Sequence, residues 1–276
     1  MTLLVRNEED ILASNIEYHL NRGVDFIIAT DNLSDDGTRD ILEYYRQKKV
    51  LHCILETDDN YAQHRWVTRM ARAACSDFHA DWVVNNDADE FWWPEETRDL
   101  KALLSSLPPE AEAVSAPRSN FVPLRTTRDS HFLDVMTVRE AQSLNALGQP
   151  LPPKVCHRAY SDVEVEQGNH AVHRGGRRLE AVPAPLTIFH FPLRSYAQFS
   201  RKIAMGGAAY QRNDYLNPAV GSTWRMLYRK WEQGELEDYY RAEEKDEAGL
   251  QQEIATGRLL RDGRLKAFMQ GLAHSA

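Results

Sequence analysis

Four short apolar runs in the first 93 residues, at 3–5, 26–29, 50–55 and 82–84, alternate with three stretches patterned as helices. That β-α-β-α-β-α-β order leaves few folds open. Strands joined by helical crossovers lie parallel, and the helices cover both faces of the sheet. Leu12, Ile16 and Leu20 fall on one helical face, as do Ile41, Leu42 and Tyr45. Asn7 is placed to cap the first helix, with Glu8, Glu9 and Asp10 at its positive end and Gly23 as its stop. A third helix is expected over 62–74. Sheets of this kind bind ligands beyond the carboxyl ends of their strands. The acidic segments 31–36 and 87–90 each follow a strand, so they should share that edge.

The second half is less regular. Short strands are expected at 154–157, 163–166 and 186–191, with a turn at Gly175-Gly176. Ser195 caps a helix whose apolar face carries Tyr196, Phe199 and Ile203, and 224–272 reads as helical and highly charged. Hydrophobic residues make up 42% of the chain, enough for a sizeable core. The formal net charge of -8 argues against nucleic acid as a partner, because such binding needs a basic face. Cys53, Cys75 and Cys156 are scattered and odd in number, which fits structural thiols in a reducing compartment. No apolar run approaches the roughly 18 residues of a membrane span. The N-terminal segment is too short and too charged for a signal peptide. The expectation is a cytoplasmic protein with no transmembrane segment, for which peripheral membrane contact stays open.

The stretch Trp82-Val83-Val84-Asn85-Asn86-Asp87-Ala88-Asp89-Glu90-Phe91-Trp92-Trp93 carries the chemistry. A strand runs directly into Asp-x-Asp. In extended chain, residues i and i+2 point to the same side, so Asp87 and Asp89 are expected to reach one cation. Ala88 between them is small enough for close approach. Oxygen-only ligands favour Mn²⁺ or Mg²⁺, ions that take substrate phosphates as further ligands and so stabilise a departing diphosphate. Phe91, Trp92 and Trp93 beside three acids read as the lining of a pocket. After the second strand, Asp31 can accept a hydrogen bond from a base or ribose, and the next helix offers free backbone N–H groups. Asp36 or Thr38 is expected to cap that helix.

These segments resemble the family 2 glycosyltransferases of GT-A fold, in the branch with Arg-Asn-Glu-Glu after the first strand and Asp-Ala-Asp-Glu-Phe as the acidic motif. The matching residues are Val5-Arg6-Asn7-Glu8-Glu9, Thr30-Asp31-Asn32, Asp36-Gly37-Thr38, Gln63 to Trp66 and Asp87-Ala88-Asp89-Glu90-Phe91. A weaker match continues through Gly168-Asn169-His170 and His190-Phe191-Pro192-Leu193-Arg194-Ser195-Tyr196 to about Lys202. The resemblance implies a Rossmann-like, mostly parallel sheet over 1–205, with a nucleotide-binding half (1–110), an acceptor-side half (111–205) and a helical extension over 206–276. It implies a UDP-sugar donor carrying a hexose or N-acetylhexosamine, and a glycan or lipid-linked acceptor of the kind used in polysaccharide biosynthesis. Val5, Arg6 and Glu8 would sit by the nucleotide. Asp31 would meet the base, and Arg65 the base or phosphate. Asp87 would lie by the ribose or reach the metal through water, and Asp89 would ligate the metal directly. The loop after the second strand departs from the family's usual Asp-Asp-Gly-Ser, so contacts there are expected to differ.

His170 and His190 each close a predicted strand, and His190 is the candidate third metal ligand. Arg194, Arg201 and Lys202 could close over a diphosphate, or lie on a solvated helix face. An inverting transferase needs a carboxylate base, with Glu164, Glu166 and Asp162 as candidates. Glu166 is chosen because it is nearest the Gly168-Asn169-His170 turn, with His170 beside it as the second catalytic candidate. Tyr210, Tyr215, Trp224 and Trp231 are read as packing between helices rather than as sugar platforms. The competing functions are a nucleotidyltransferase and a non-catalytic nucleotide-sugar-binding protein. The first usually has a glycine-rich basic loop where this chain has Arg6-Asn7-Glu8-Glu9, and the second would be expected to lack Asp87 or Asp89.

Overall fold

The structure, a computed structural model, describes residues 1–60, 62–96, 99–125, 130–213, 217 and 220–274. The first elements are β1 (Thr2–Val5), α1 (Leu12–Asn21), β2 (Ile27–Asn32), α2 (Thr38–Gln47), β3 (Leu51–Glu56), α3 (Gln63–Ser76), β4 (Trp82–Asp87), β5 (Glu90–Pro94), α4 (Leu100–Ser105), β6 (Ala113–Ala116) and β7 (Arg118–Asn120). There follow α5 (Phe132–Val135), β8 (Val138–Glu140), β9 (Lys154–Arg158), β10 (Val163–Val165), β11 (Val172–Arg174), β12 (Arg177–Arg178), β13 (Ala181–Pro183) and β14 (Leu186–His190). The last are α6 (Tyr196–Arg212), α7 (Ser222–Glu232), α8 (Leu236–Glu243), α9 (Glu247–Ala255), β15 (Leu259–Arg261) and α10 (Arg264–Ala273). They form two compact units: Met1–Arg118 with Pro152–Ile188, and Ser119–Leu151 with Phe189–Ala276. These boundaries differ from the expected divisions at 110 and 205, because β9 and β13 return to the first unit's sheet after the excursion through 119–151.

The first unit is built on a seven-stranded sheet in the order β13-β6-β9-β4-β1-β2-β3. Strands β4, β1, β2 and β3 run parallel, as the alternation predicts, and β13 is parallel to β6. Strand β9 alone reverses direction, lying antiparallel to both β4 and β6. Helix α3 shows why this sheet is stable. Val67, Met70, Ala71 and Ala74 follow the i, i+3, i+4, i+7 pattern and bury one face against Ile28, Val83 and Val155. The same face meets β10, where Arg72 Nε donates to Val163 O at 2.7 Å and Val165 N donates to Thr68 Oγ1 at 2.9 Å. Gly23 stops α1 with φ +92°, a conformation that suits glycine.

Asn7 does not cap α1. It takes φ +56° and a turn at Glu8 intervenes, with Ile11 N and Leu12 N both donating to Glu8 O. The side chain of Asn7 instead accepts from Asp35 N at 2.9 Å, tying the loop after β1 to the loop after β2.

The second unit is helical, with an antiparallel pair of β8 and β15. Ser195 caps α6 as expected, accepting from Gln198 N at 3.2 Å. Phe199 and Ile203 pack with Leu227, Tyr228, Leu236 and Tyr240. Tyr210 is buried beside Trp224, as expected of packing between helices, while Trp231 stacks on Tyr228 and is 40% exposed. Tyr215 lies outside the described residues. Among the described residues, no helix is long and apolar enough to cross a membrane.

Candidate active site

The parallel register brings the two acidic strand ends to one edge. Asp31 pairs across to Val5 and Leu55, and Asp87 to Leu4. Beyond Asp87 the chain does not stay extended. Ala88 and Asp89 form a turn and Glu90 opens β5, so the i, i+2 alternation does not govern the two aspartates. The turn itself sets how their carboxylates are presented.

Helix α1 braces that turn. Asn15 is fully buried; its Nδ2 donates to Ala88 O at 2.9 Å and Glu90 O at 2.7 Å, and its Oδ1 accepts from Asn86 Nδ2 at 3.0 Å. Asn86 Oδ1 accepts from Trp92 Nε1 at 2.9 Å, and Tyr18 Oη donates to Trp92 O at 2.9 Å. Trp92 N points at His19 Nε2, 3.3 Å away. An amide N–H can only donate, so His19 carries its proton on Nδ1, which faces Asn15 O at 2.8 Å. Burial holds His19 far below its usual range, at about 3, so it stays neutral.

The aromatics do not line a pocket. Phe91 and Trp92 are fully buried, with Phe91 against Tyr18 and His19, while Trp93 lies under the Arg22 guanidinium at 4.2 Å. They are the packing between β5 and α1.

Facing the turn is a residue that no local motif marks. Lys154 is 2% exposed, and its ammonium donates to Asp87 Oδ2 at 2.5 Å and lies 3.3 Å from Glu90 Oε1. Asn169 Nδ2 donates to the other oxygen, Asp87 Oδ1, at 3.2 Å. Arg118 reaches Glu90 Oε1 at 3.5 Å. Glu90 is fully buried and neither of its oxygens accepts a hydrogen bond. Burial first, then the neighbouring charges of Asp87 and Asp89, push its carboxyl up to about 7 against the pull of Lys154 and Arg118.

At the second strand end, the Asp31 carboxylate is wholly covered. Its Oδ2 accepts from Arg39 Nε at 2.7 Å and its Oδ1 from Ser34 N at 3.2 Å. At the start of α2 two of the backbone donors already have partners within the chain. Gly37 N donates to Glu9 Oε2 at 2.7 Å and Thr38 N to Asp36 Oδ1 at 2.9 Å. Arg6 pairs with Asp59 at 2.6 Å, Glu8 N donates to Thr38 Oγ1 at 2.9 Å, and Arg65 is exposed in the first turn of α3.

The turn after β10 folds back on α3. Gly168 N donates to Gln63 Oε1 at 2.6 Å, and Asn169 takes φ +62°. Glu166 is exposed and meets His173 Nε2 at 2.6 Å; Glu164 pairs with Arg72 and Asp162 with Arg174. His170 Nδ1 faces Pro153 O at 2.8 Å, and burial lowers the ring to about 4. In the second unit, His190 Nδ1 faces Asn120 Oδ1 at 2.7 Å and buried Arg194 donates to Phe191 O at 3.1 Å, while Lys202 lies on α6. Among the described residues, no three His, Cys, Asp or Glu side chains are grouped so as to hold a metal by themselves.

A mostly parallel sheet with an acidic turn at its carboxyl edge is the GT-A arrangement of a glycosyltransferase. The family described as glycosyl transferase family 2 matches residues 3–166, and the chain belongs to that family. No curated protein matches. Solved structures similar to this chain include S. aureus TarS 1-349, at 14% identity over 84% of this chain and 71% of that one, with a TM-score of 0.42. The same fragment in complex with UDP gives 15%, 84%, 71% and 0.42, and in complex with UDP-GlcNAc 14%, 84%, 72% and 0.40.

Proposed function

We propose that this family member transfers a hexose or N-acetylhexosamine from a UDP-sugar to a hydroxyl of a glycan or lipid-linked acceptor, with inversion and with Mn²⁺ or Mg²⁺. The observation that carries the reading is the braced turn at Asp87-Ala88-Asp89, set on the same sheet edge as Asp31.

The residues fit an ion that takes part of its shell from the donor. The Asp87 side chain is 33% exposed, and each of its oxygens accepts one hydrogen bond in a group with about four acceptor positions. Asp89 supplies the second carboxylate. Oxygen donors of this kind suit Mn²⁺ or Mg²⁺, whose remaining positions go to phosphate and water. When bound, such an ion would neutralise charge on the departing diphosphate.

The chain's own residues do the rest. Asn15 and Asn86 hold the turn in place before the donor arrives, which is the preorganisation that electrostatic catalysis needs. Val5 and Arg6 flank the nucleotide. Asp31 would receive the base N–H once Arg39 swings aside. Arg39 is 53% exposed but Asp31 is fully buried, so Arg39 can leave only as the base N–H takes over its hydrogen bond to the carboxylate. Glu166 is assigned as the base that takes the acceptor's proton. It opens the turn in which Asn169 touches Asp87, and His173 orients its carboxylate. His190 as a third ligand and Arg65 as a donor contact rest on the family resemblance, and Arg194 and Lys202 on the cluster of cations that follows His190 in the sequence.

Thermal stabilisation by UDP, with and without Mn²⁺, tests the reading, together with release of free sugar from a panel of nucleotide sugars. Stabilisation that needs both UDP and metal, and that Asp89→Ala abolishes, is the expected result. Equal stabilisation by a nucleoside triphosphate without metal would favour nucleotidyl transfer instead.

A further inference from the structure

Lys154 is a costly residue where it stands. Lysine is almost never fully buried unless paired, and taking an ammonium out of water costs several kcal/mol. Its strand neighbours Val155 and Cys156 are buried apolar residues, so packing alone would be met by an aliphatic side chain. The reason it reaches the acidic turn is topological. Strand β9 runs antiparallel to β4 with Cys156 opposite Val84, so Lys154, the first residue of β9, comes to the acidic end of β4, one position from Asp87. Lys154 then takes Asp87 Oδ2 while Asn169 takes Oδ1, which leaves the carboxylate little rotational freedom. A second group points the same way. Glu90 is fully buried with no hydrogen bond to either oxygen, and Lys154 is the nearer of the two cations beside it.

We infer that Lys154 is a positioning residue for the donor site: its ammonium, through Asp87, fixes the orientation in which the acidic turn receives metal and diphosphate. The inference rests on the donor-site reading above. It adds that the turn is set from outside the Asp-x-Asp motif by a cation 67 positions away in the chain.

The test compares Glu90→Gln with the double variant Lys154→Met/Glu90→Gln, both in the full chain. Removing both members of the buried Lys154–Glu90 pair leaves neither charged without the other, and Asp87, which is partly exposed, keeps Asn169, so the double variant is expected to fold. Both variants lack the Glu90 charge, and only the second lacks the Asp87 partner. UDP affinity is measured calorimetrically at saturating Mn²⁺, with melting temperatures alongside. The double variant is expected to bind UDP roughly ten- to a hundredfold more weakly than Glu90→Gln, the range for losing one hydrogen bond to a charged group. Lys154→Arg keeps a cation with donors there and is expected to stay within about threefold of the parent chain. Equal affinity in the double variant and Glu90→Gln overturns the inference. So does a loss in Lys154→Arg as large as in the double variant. Asp89→Ala separates the two levels: if it binds UDP and Mn²⁺ as the parent does, the donor-site reading falls as well.

Discussion

Replacing Asn15 with leucine should destabilise the first unit severely, although leucine has the same branched side-chain skeleton. The substitution strands three buried groups: Ala88 O, Glu90 O and Asn86 Nδ2. His19 keeps its bond to the Asn15 backbone carbonyl and is spared. Each orphaned buried group costs about 1–3 kcal/mol, so the three together cost about 3–9 kcal/mol, against a total stability of about 5–15 kcal/mol for a domain. At roughly 2–4 °C per kcal/mol for a unit of this size, the melting temperature should fall by about 6–36 °C. Leucine is the better probe than alanine, because alanine leaves room for a water that could satisfy part of the set. Asn15→Asp should be no milder, since it sets a carboxylate oxygen against two carbonyls. Calorimetry or far-UV circular dichroism measures the shift, and UDP binding with Mn²⁺, taken well below the transition, should weaken in parallel. A shift of less than about 3 °C would show that the turn holds its shape without Asn15, and the account of preorganisation would be wrong.

Stability should drop as pH falls below about 6.5. Burial lowers His19 to about 3 and His157 and His170 to about 4, so the unfolded chain binds protons that the folded one refuses. Glu90 acts in the opposite sense: with its folded carboxyl raised to about 7, it opposes folding increasingly from about 4.5 up to 7, and Glu90→Gln in EDTA should remove that contribution. Denaturant titrations at half-unit pH steps read both slopes. Gly207→Ala should unfold the second unit at markedly lower temperature, because a Cβ there would lie 2.4 Å from Tyr228 Cβ at the contact of α6 with α7; overpacking of this kind costs about 1–3 kcal/mol, and an unchanged melt would refute it. Glu166→Gln should reduce transfer by roughly 10²-fold or more while leaving UDP affinity unchanged, the split expected of a base.

The parallel core was legible because each piece of it is local. Periods of 2 and 3.6 in 1–93 read out β1 to β4 and their helices, and the shared edge of Asp31 and Asp87 follows from parallel strands alone. What escaped depends on partners distant in the chain. The reading of 154–157 as a strand is sound, but nothing in Lys154-Val155-Cys156-His157 reveals an antiparallel seat beside β4, and so the lysine's meeting with Asp87 is invisible. Asn15 looks like any polar residue on an amphipathic helix until β5 turns back over α1. Phe91-Trp92-Trp93 was misleading for a related reason: β5 begins at once after the turn, and aromatics next to acids are then core on one side of a hairpin-like reversal rather than a pocket wall. Residues 119–151 lack periodicity, which is why the interleaving of the two units could not be seen in the order of elements.

The reversed strand β9 also bears on synthesis. During translation, β1 to β4 emerge first, and until residue 154 has left the ribosome tunnel the Asp87 carboxylate lacks its lysine and buried Glu90 has Arg118 without the nearer cation. The edge strand β13, at 181–183, comes later still, beyond the 3–166 span that matches the family. A fragment cut at the end of that span would expose β6 as an unpaired sheet edge, the kind of surface that seeds aggregation. Expression trials that stop short of residue 188 should therefore yield insoluble material, even though every Asp-x-Asp residue is present.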